Sequence, residues 1–215
     1  MAHALPSHLR IALFDERAIL LDIRADRYRS LGARAAHVFQ CIARDETVTD
    51  VAALEDLLAA DILCAGNASY RPLDIPVSER IISSSPALSA RATRWLRGFR
   101  ALLSVMCIQS ARGFDASLRS ITARKASRTL RRDIDAAVAV AQAYRTVRTR
   151  IPIRPVCLRD SMALMILLVD AGLDATLVLG VRIDPFAAHS WVQAGSILLS
   201  DDLDVVAEFT PILAL

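Results

Sequence analysis

Cys157 and His189 are the two residues whose types, taken together, could do chemistry. Cys157 follows Arg154-Pro155-Val156 and leads into the apolar run Met162-Ala163-Leu164-Met165-Ile166-Leu167-Leu168-Val169. Proline disfavours helix at the residue before it and is tolerated in a first turn. The spacing therefore predicts a helix that opens around Cys157 and ends near Gly172. At a helix start, unpaired backbone N–H groups and the positive end of the macrodipole favour thiolate over thiol. Of the other histidines, His3, His8 and His37 fall in the first forty residues, so His189 is the local partner for the sulfur.

Beyond Gly172 the apolar period changes. Asp174 to Val181 is β-branched and apolar, as a buried strand requires. A turn at Asp184-Pro185 follows, then Ala188-His189-Ser190-Trp191-Val192, a hairpin turn at Gly195, and Ile197-Leu198-Leu199-Ser200-Asp201. His189 and Asp201 are thus expected on neighbouring antiparallel strands. A carboxylate there would hold the imidazole in one tautomer while its other nitrogen faces the thiol. Asp202 and Asp204 are alternatives to Asp201. A single cysteine beside an apolar helix is usually a buried small hydrophobe, and a histidine beside tryptophan usually a packed strand residue. It is the pairing, in the order Cys, His, Asp across helix then sheet, that suggests the papain and transglutaminase arrangement.

Three segments carry a resemblance: Cys157-Leu158-Arg159-Asp160-Ser161-Met162-Ala163-Leu164, Leu179 to Val192 with its "GVR-x-x-PF-x-AH-x-W" pattern, and Phe209-Thr210-Pro211-Ile212-Leu213. Together, over about the last third of the chain, they resemble the transglutaminase-like leader peptidase (B protein) of lasso-peptide biosynthesis. The resemblance implies Cys157 as nucleophile, His189 as general base and Asp201 as orienting carboxylate. It implies hydrolysis of the bond joining leader to core in a ribosomally made precursor. A separate asparagine-synthetase-like, ATP-using cyclase would then act on the freed amine. Ser190 departs from the family pattern, where a small residue such as alanine is expected, and the change reads as harmless. Two other readings stay open: a transglutaminase-like acyltransferase using the same three residues, and a non-catalytic leader-binding chaperone.

Other elements must position this pair. Leu9 to Leu31 reads as a three-strand meander, turned at Asp15-Glu16-Arg17 and at Arg24-Ala25-Asp26. A helix with Ala35, Val38, Phe39 and Ile42 on one face follows Gly32. A second, capped from Thr47-Val48-Thr49-Asp50, carries Val51, Leu54, Leu58 and Ile62 and ends at Gly66. The order of these parts, with Asp26-Arg27-Tyr28-Arg29-Ser30-Leu31-Gly32, resembles the winged-helix recognition element that binds precursor leaders. That implies a leader adding as a strand along Arg27, Tyr28, Arg29 and Leu31 and packing towards Leu54 and Leu58. The bland alternative is a structural subdomain with a covered edge.

Asn67 to Pro86 has a linker's serines and prolines. Ala87 to Ala111 then reads as a helix with Trp95, Leu96, Phe99, Leu102, Leu103 and Met106 inward and Arg91, Arg94, Arg97 and Arg100 wet; Cys107 reads as packing. Gly113 punctuates the chain, and Asp133 to Arg148 is a further helix with Ile134, Ala137, Val138, Ala141 and Tyr144 at core spacing. The expected class is α+β: a winged-helix-like three-strand domain over 1–66, a linker over 67–86, and a transglutaminase/papain-like cysteine peptidase domain over 87–215.

Composition excludes several classes. The chain has 215 residues, 54% of them apolar and 5% aromatic, enough for one large core or two small ones. Its longest apolar run, Met162 to Val169, is far short of the roughly 20 residues a bilayer needs. The first residues carry charge and no apolar signal core. Cys41, Cys64, Cys107 and Cys157 form no C-x-x-C pair, so reduced thiols in a cytoplasm are expected, with no metal or organic cofactor. Net charge is +3, with arginine concentrated between Arg80 and Arg150. Without interleaved aromatics or glycine-rich loops, this reads as solvated helix faces, not a nucleic-acid surface.

Overall fold

The computed structural model describes residues 3–66, 72, 73, 75 and 91–215, and it is α+β. It divides into two compact units: Met1–Asp74 with Thr210–Leu213, and Ile75–Phe209 with Ala214–Leu215. The linker expected over 67–86 lies outside the described residues apart from Pro72, Leu73 and Ile75, as do the helix start expected at Ala87 and the side chain of Arg91.

In the first unit β1 (His3–Ala4) is followed by the antiparallel meander β2 (Leu9–Leu13), β3 (Ala18–Asp22) and β4 (Arg27–Leu31). The register sets Ile11 opposite Leu20 and Leu20 opposite Arg29. Strand β3 is central, and Ala18 to Leu21 are all buried, so the alternation expected from sequence is lost there. α1 (Ala33–Ala43) and α2 (Val51–Ala59) follow, then β5 (Cys64–Ala65), which pairs with β1. The Asp50 carboxylate caps α2 by accepting the Ala53 N–H, and Arg34 grips that carboxylate with two donors. Leu9, Ile11, Leu20, Val38, Phe39 and Leu57 share one core with Ile62 and Leu63. Each large apolar side chain in it contributes about 1.5–3 kcal/mol. Two expectations need correcting. α2 stops at Ala59, with Asp61 turned to a left-handed backbone, well before Gly66. Its buried positions are Ala53 and Leu57; Leu54 and Leu58 are half-buried and Val51 is exposed.

The second unit is built on α5 (Cys157–Asp170). It follows α3 (Arg91–Ala126) and α4 (Ile134–Arg148) and precedes β6 (Thr176–Ile183), β7 (Phe186–Ala194), β8 (Ile197–Leu198) and α6 (Leu203–Val206). The chain closes in β9 (Thr210–Ala214). Helices α3 and α4 pack on α5, and β7 packs on it too. That is why Met162 to Ile166 are buried all round. β6 and β7 form a hairpin across Asp184-Pro185 with Ile183 opposite Phe186, and β8 pairs with the end of β7 across Gly195. Leu177 exchanges two backbone hydrogen bonds with Leu215.

Here too the structure corrects the expected pattern. α3 does not end at Ala111: helix continues to Ala126 on either side of Gly113, whose backbone (φ 81°, ψ −176°) breaks the helical path. Its buried face carries Ala101, Leu102 and Val105, while Leu96 and Leu103 are exposed, as is Ile134 on α4. Cys107 is exposed, not packed.

Candidate active site

Val156 is extended (φ −139°, ψ 117°) and Cys157 is the first residue of α5, so its sulfur stands at the helix N-terminus, exposed to solvent. The start of this helix is held from the side. Asp160 lies in the first turn and accepts the Val156 N–H at 3.1 Å and the Tyr144 hydroxyl at 3.2 Å. Arg148 at the end of α4 donates to the same carboxylate from Nε and Nη2. Through Nη2 it also donates to Ile153 O at 3.0 Å. A guanidinium fork suits such bidentate work, and both side chains are mostly buried (11% and 21% exposed). Burial and the neighbouring Asp160 carboxylate push the Tyr144 phenol well above its ordinary range.

His189 lies on β7 opposite Gly180. Its Nε2 faces Asp201 Oδ1 at 3.0 Å. Since Nε2 is taken by the carboxylate, Nδ1 is the nitrogen left for sulfur. Phe209 lies against the ring, centroids 5.3 Å apart, and Trp191 is 6.4 Å away. Gly180 makes this packing possible: a Cβ there would sit 2.8 Å from Trp191 Cζ3 and 2.9 Å from Phe209 Cβ.

Asp201 is not on a strand as expected. β8 ends at Leu198, and Asp201 lies in the bend leading to α6. The reason is local. The Ser200 hydroxyl, not a backbone carbonyl, accepts the Val192 N–H at 2.9 Å, and it donates to Asp201 Oδ2 at 3.0 Å. The carboxylate is therefore held at both oxygens, by the imidazole and by Ser200. Asp202 and Asp204, left open as alternatives, are both exposed; Asp202 stands just before α6 without a side-chain capping bond, and Asp204 lies within it.

The charges reinforce one another. His189 is raised to about 9, chiefly by its hydrogen bond to Asp201 and then by that to Cys157. The Cys157 thiol is lowered, first by its hydrogen bond with His189, against the opposing cost of burial. Smaller contributions in the same direction come from the Ser190 hydroxyl and the Leu158 N–H. A thiolate beside an imidazolium is the state both shifts favour.

A cavity of about 340 Å³ opens beside the sulfur, lined by Tyr144, Arg145, Arg148, Pro155, Cys157, Asp160, Ser161, Leu164, Ser200 and Asp201. A peptide carbonyl placed there meets a nucleophile and an adjacent acid–base group, which is what acyl transfer needs. Among the described residues no three His, Cys, Asp or Glu side chains gather to hold a metal ion. No helix among them is long and apolar enough to cross a membrane.

The other expected positions lie in the first unit. Arg27, Tyr28, Arg29 and Leu31 are on β4, the outer strand of the order β2-β3-β4. Leu31, Leu54 and Leu58 are partly buried against one core. Arg148, Asp160, Ser161, Ser190 and Ser200 were not singled out as site residues from sequence. Only the first-turn acid at Asp160 carried a hint, since capping carboxylates favour that position.

Residues 90–214 match the family model of the transglutaminase-like superfamily. Over 58 residues the chain is 43% identical to the microcin J25-processing protein McjB of Escherichia coli, a stretch covering 24% of this chain and 28% of that protein. No solved structure matches.

Proposed function

The chain belongs to the transglutaminase-like superfamily, and from that premise we propose that it is a cysteine endopeptidase that removes the leader from a ribosomally made lasso-peptide precursor. The observation that carries this reading is His189, paired with Asp201 at 3.0 Å, together with a solvent-facing Cys157 at a helix N-terminus whose thiol pKa the imidazole lowers. The partial likeness to a microcin-processing protein supports the substrate class.

In this mechanism the thiolate attacks the scissile carbonyl, and the Cys157 backbone N–H faces the developing oxyanion. Imidazolium Nδ1 gives its proton to the leaving amine, the new N-terminus of the core. Neutral His189 then takes a proton from water, whose oxygen attacks the thioester. The carboxyl-terminated leader leaves and the thiolate is restored. Asp201 fixes the ring and stabilises its charged form. The freed amine is what an asparagine-synthetase-like cyclase would consume. The 1–66 region serves as leader-recognition domain. Leader pairs as an added strand along Arg27 to Leu31, with Tyr28, Leu31, Leu54 and Leu58 supplying side-chain contacts. The 87–215 region carries the chemistry.

Mass spectrometry of full-length precursor incubated with the protein tests the reading. The expected products are free core and a leader one water heavier than the acyl fragment; crosslinked leader would instead make the protein an acyltransferase. Leu58→Ala should raise KM for the precursor about tenfold, the usual size for truncating a central apolar contact. Unaltered KM would remove Leu58 from the recognition surface.

A further inference from the structure

Two residues of the sequence pattern, Arg182 and Phe209, have no part in the proposed chemistry, yet the structure joins both to its base. The β6–β7 register sets Val178 opposite Trp191, Gly180 opposite His189 and Arg182 opposite Ala187, so these positions share one face of the hairpin. Phe209 fills the space that a Cβ on Gly180 would need, and its ring centroid is 5.3 Å from that of His189. Arg182 comes next along that face, its Cζ 5.4 Å from the centre of the Phe209 ring. The same guanidinium pairs through Nη1 with Glu208, the residue before Phe209. Arg182 thus grips two successive residues of the segment that leaves α6.

This arrangement has a cost. Arg182 Nε is buried with no hydrogen-bond acceptor among the described residues, and an orphaned buried donor has lost its hydration without return. Glu208 does not offset that alone: its side chain is 56% exposed, and an ion pair open to solvent holds little by itself. The ring supplies the rest, because a cation within about 6 Å of an aromatic face is attracted by the ring's quadrupole. Glu208 in turn balances the positive charge brought to the side of the imidazole. We propose that Arg182 is a positioning residue for His189, acting through Phe209. The guanidinium clamps the ring of Phe209, and that ring keeps the imidazole from tipping while Asp201 holds Nε2. The inference rests on His189 as the base of the proposed peptidase, but not on the identity of the peptide.

Two readouts on the full chain test this. The first is the proton–carbon NMR spectrum of the histidine rings, with His189 assigned by the signal lost in His189→Gln and His3, His8 and His37 as internal controls. Aromatic rings displace the shifts of protons packed near them, so the His189 signals report where Phe209 and Trp191 lie. Arg182→Gln and Phe209→Leu should both move the His189 signals and leave the controls in place. Arg182→Lys, which keeps a cation for the ring, should leave them near wild type. The second readout is precursor cleavage. Arg182→Gln should lower kcat about threefold at unchanged KM, the size of an exposed cation–π contact. Phe209→Leu should lower it about tenfold, the size of a lost aromatic pair. The double variant should lose no more than Phe209→Leu alone, because Arg182 acts through that ring. Unmoved His189 signals in Arg182→Gln overturn the inference. Additive losses in kcat overturn it too, as does a rise in KM alone, which would make Arg182 a substrate contact. Ring signals that respond as expected while no form of the protein cleaves precursor would uphold the positioning stack and overturn the peptidase.

Discussion

His189 has two neighbours that pull its proton affinity in one direction, the Asp201 carboxylate and the Cys157 sulfur. The sign of the pH dependence follows. Cys157 is lowered, so thiolate appears at lower pH than for a free thiol, and His189, raised to about 9, stays protonated until that pH. Between the two, thiolate and imidazolium coexist. kcat/KM should rise as the thiol ionises and fall as pH passes about 9, where the leaving amine loses its proton donor. Asp201→Asn removes the largest cause of the upward shift. Its alkaline limb should move from about 9 towards the ordinary histidine range, with a loss at pH 8 of up to about 30-fold. A pH-rate profile checks this, and an unmoved alkaline limb would make another carboxylate the partner. The Cys–His pairing was legible in sequence because helix start, strand and turn all lie within about thirty residues. The serines were not, because a buried hydroxyl looks like any small residue until its partners are known.

At the scale of elements, one ion pair fixes where α5 begins. Arg148 and Asp160 tie the end of α4, the carbonyl of Ile153 and the N–H of Val156 into one assembly around the residue before the nucleophile. Removing one partner leaves the other charged and mostly buried. Asp160→Ala should therefore lower stability by about 2–4 kcal/mol, seen as a lower denaturant midpoint. It should also lower kcat more than KM, since it frees the turn that carries Cys157. A midpoint within error of wild type would mean that the ion pair contributes nothing there. Elements were legible where apolar period and caps agreed, as at Asp50 and Asp133, whose carboxylates accept the Ala53 and Ala136 N–H groups. Helix faces were less so. On α3 the eye follows Trp95, Leu96 and Leu103, but close approach to α4 selects the small Gly98, where a Cβ would stand 3.1 Å from Val147 Cγ2. Strand β8 misled in another way: Ile197 to Asp201 has strand composition, yet Ser200 takes over the Val192 N–H and releases Asp201 into a bend.

Over the whole molecule, the chain is α+β, with two compact units and one superfamily match over residues 90–214; recognition and chemistry are proposed to have separate seats in it. The parallel with the leader-binding element rests on the order of β2, β3, β4, α1 and α2, because strand order, unlike pocket shape, is written in turn residues such as Asp26 with its left-handed backbone. The proposed peptidase stands or falls on Cys157. The direct measurement is cleavage of full-length precursor by Cys157→Ala under conditions where wild type turns over completely, with free core quantified by mass spectrometry. The expected result is a loss on the order of 10⁶ in rate. Release of core at the wild-type rate by that variant would contradict the mechanism.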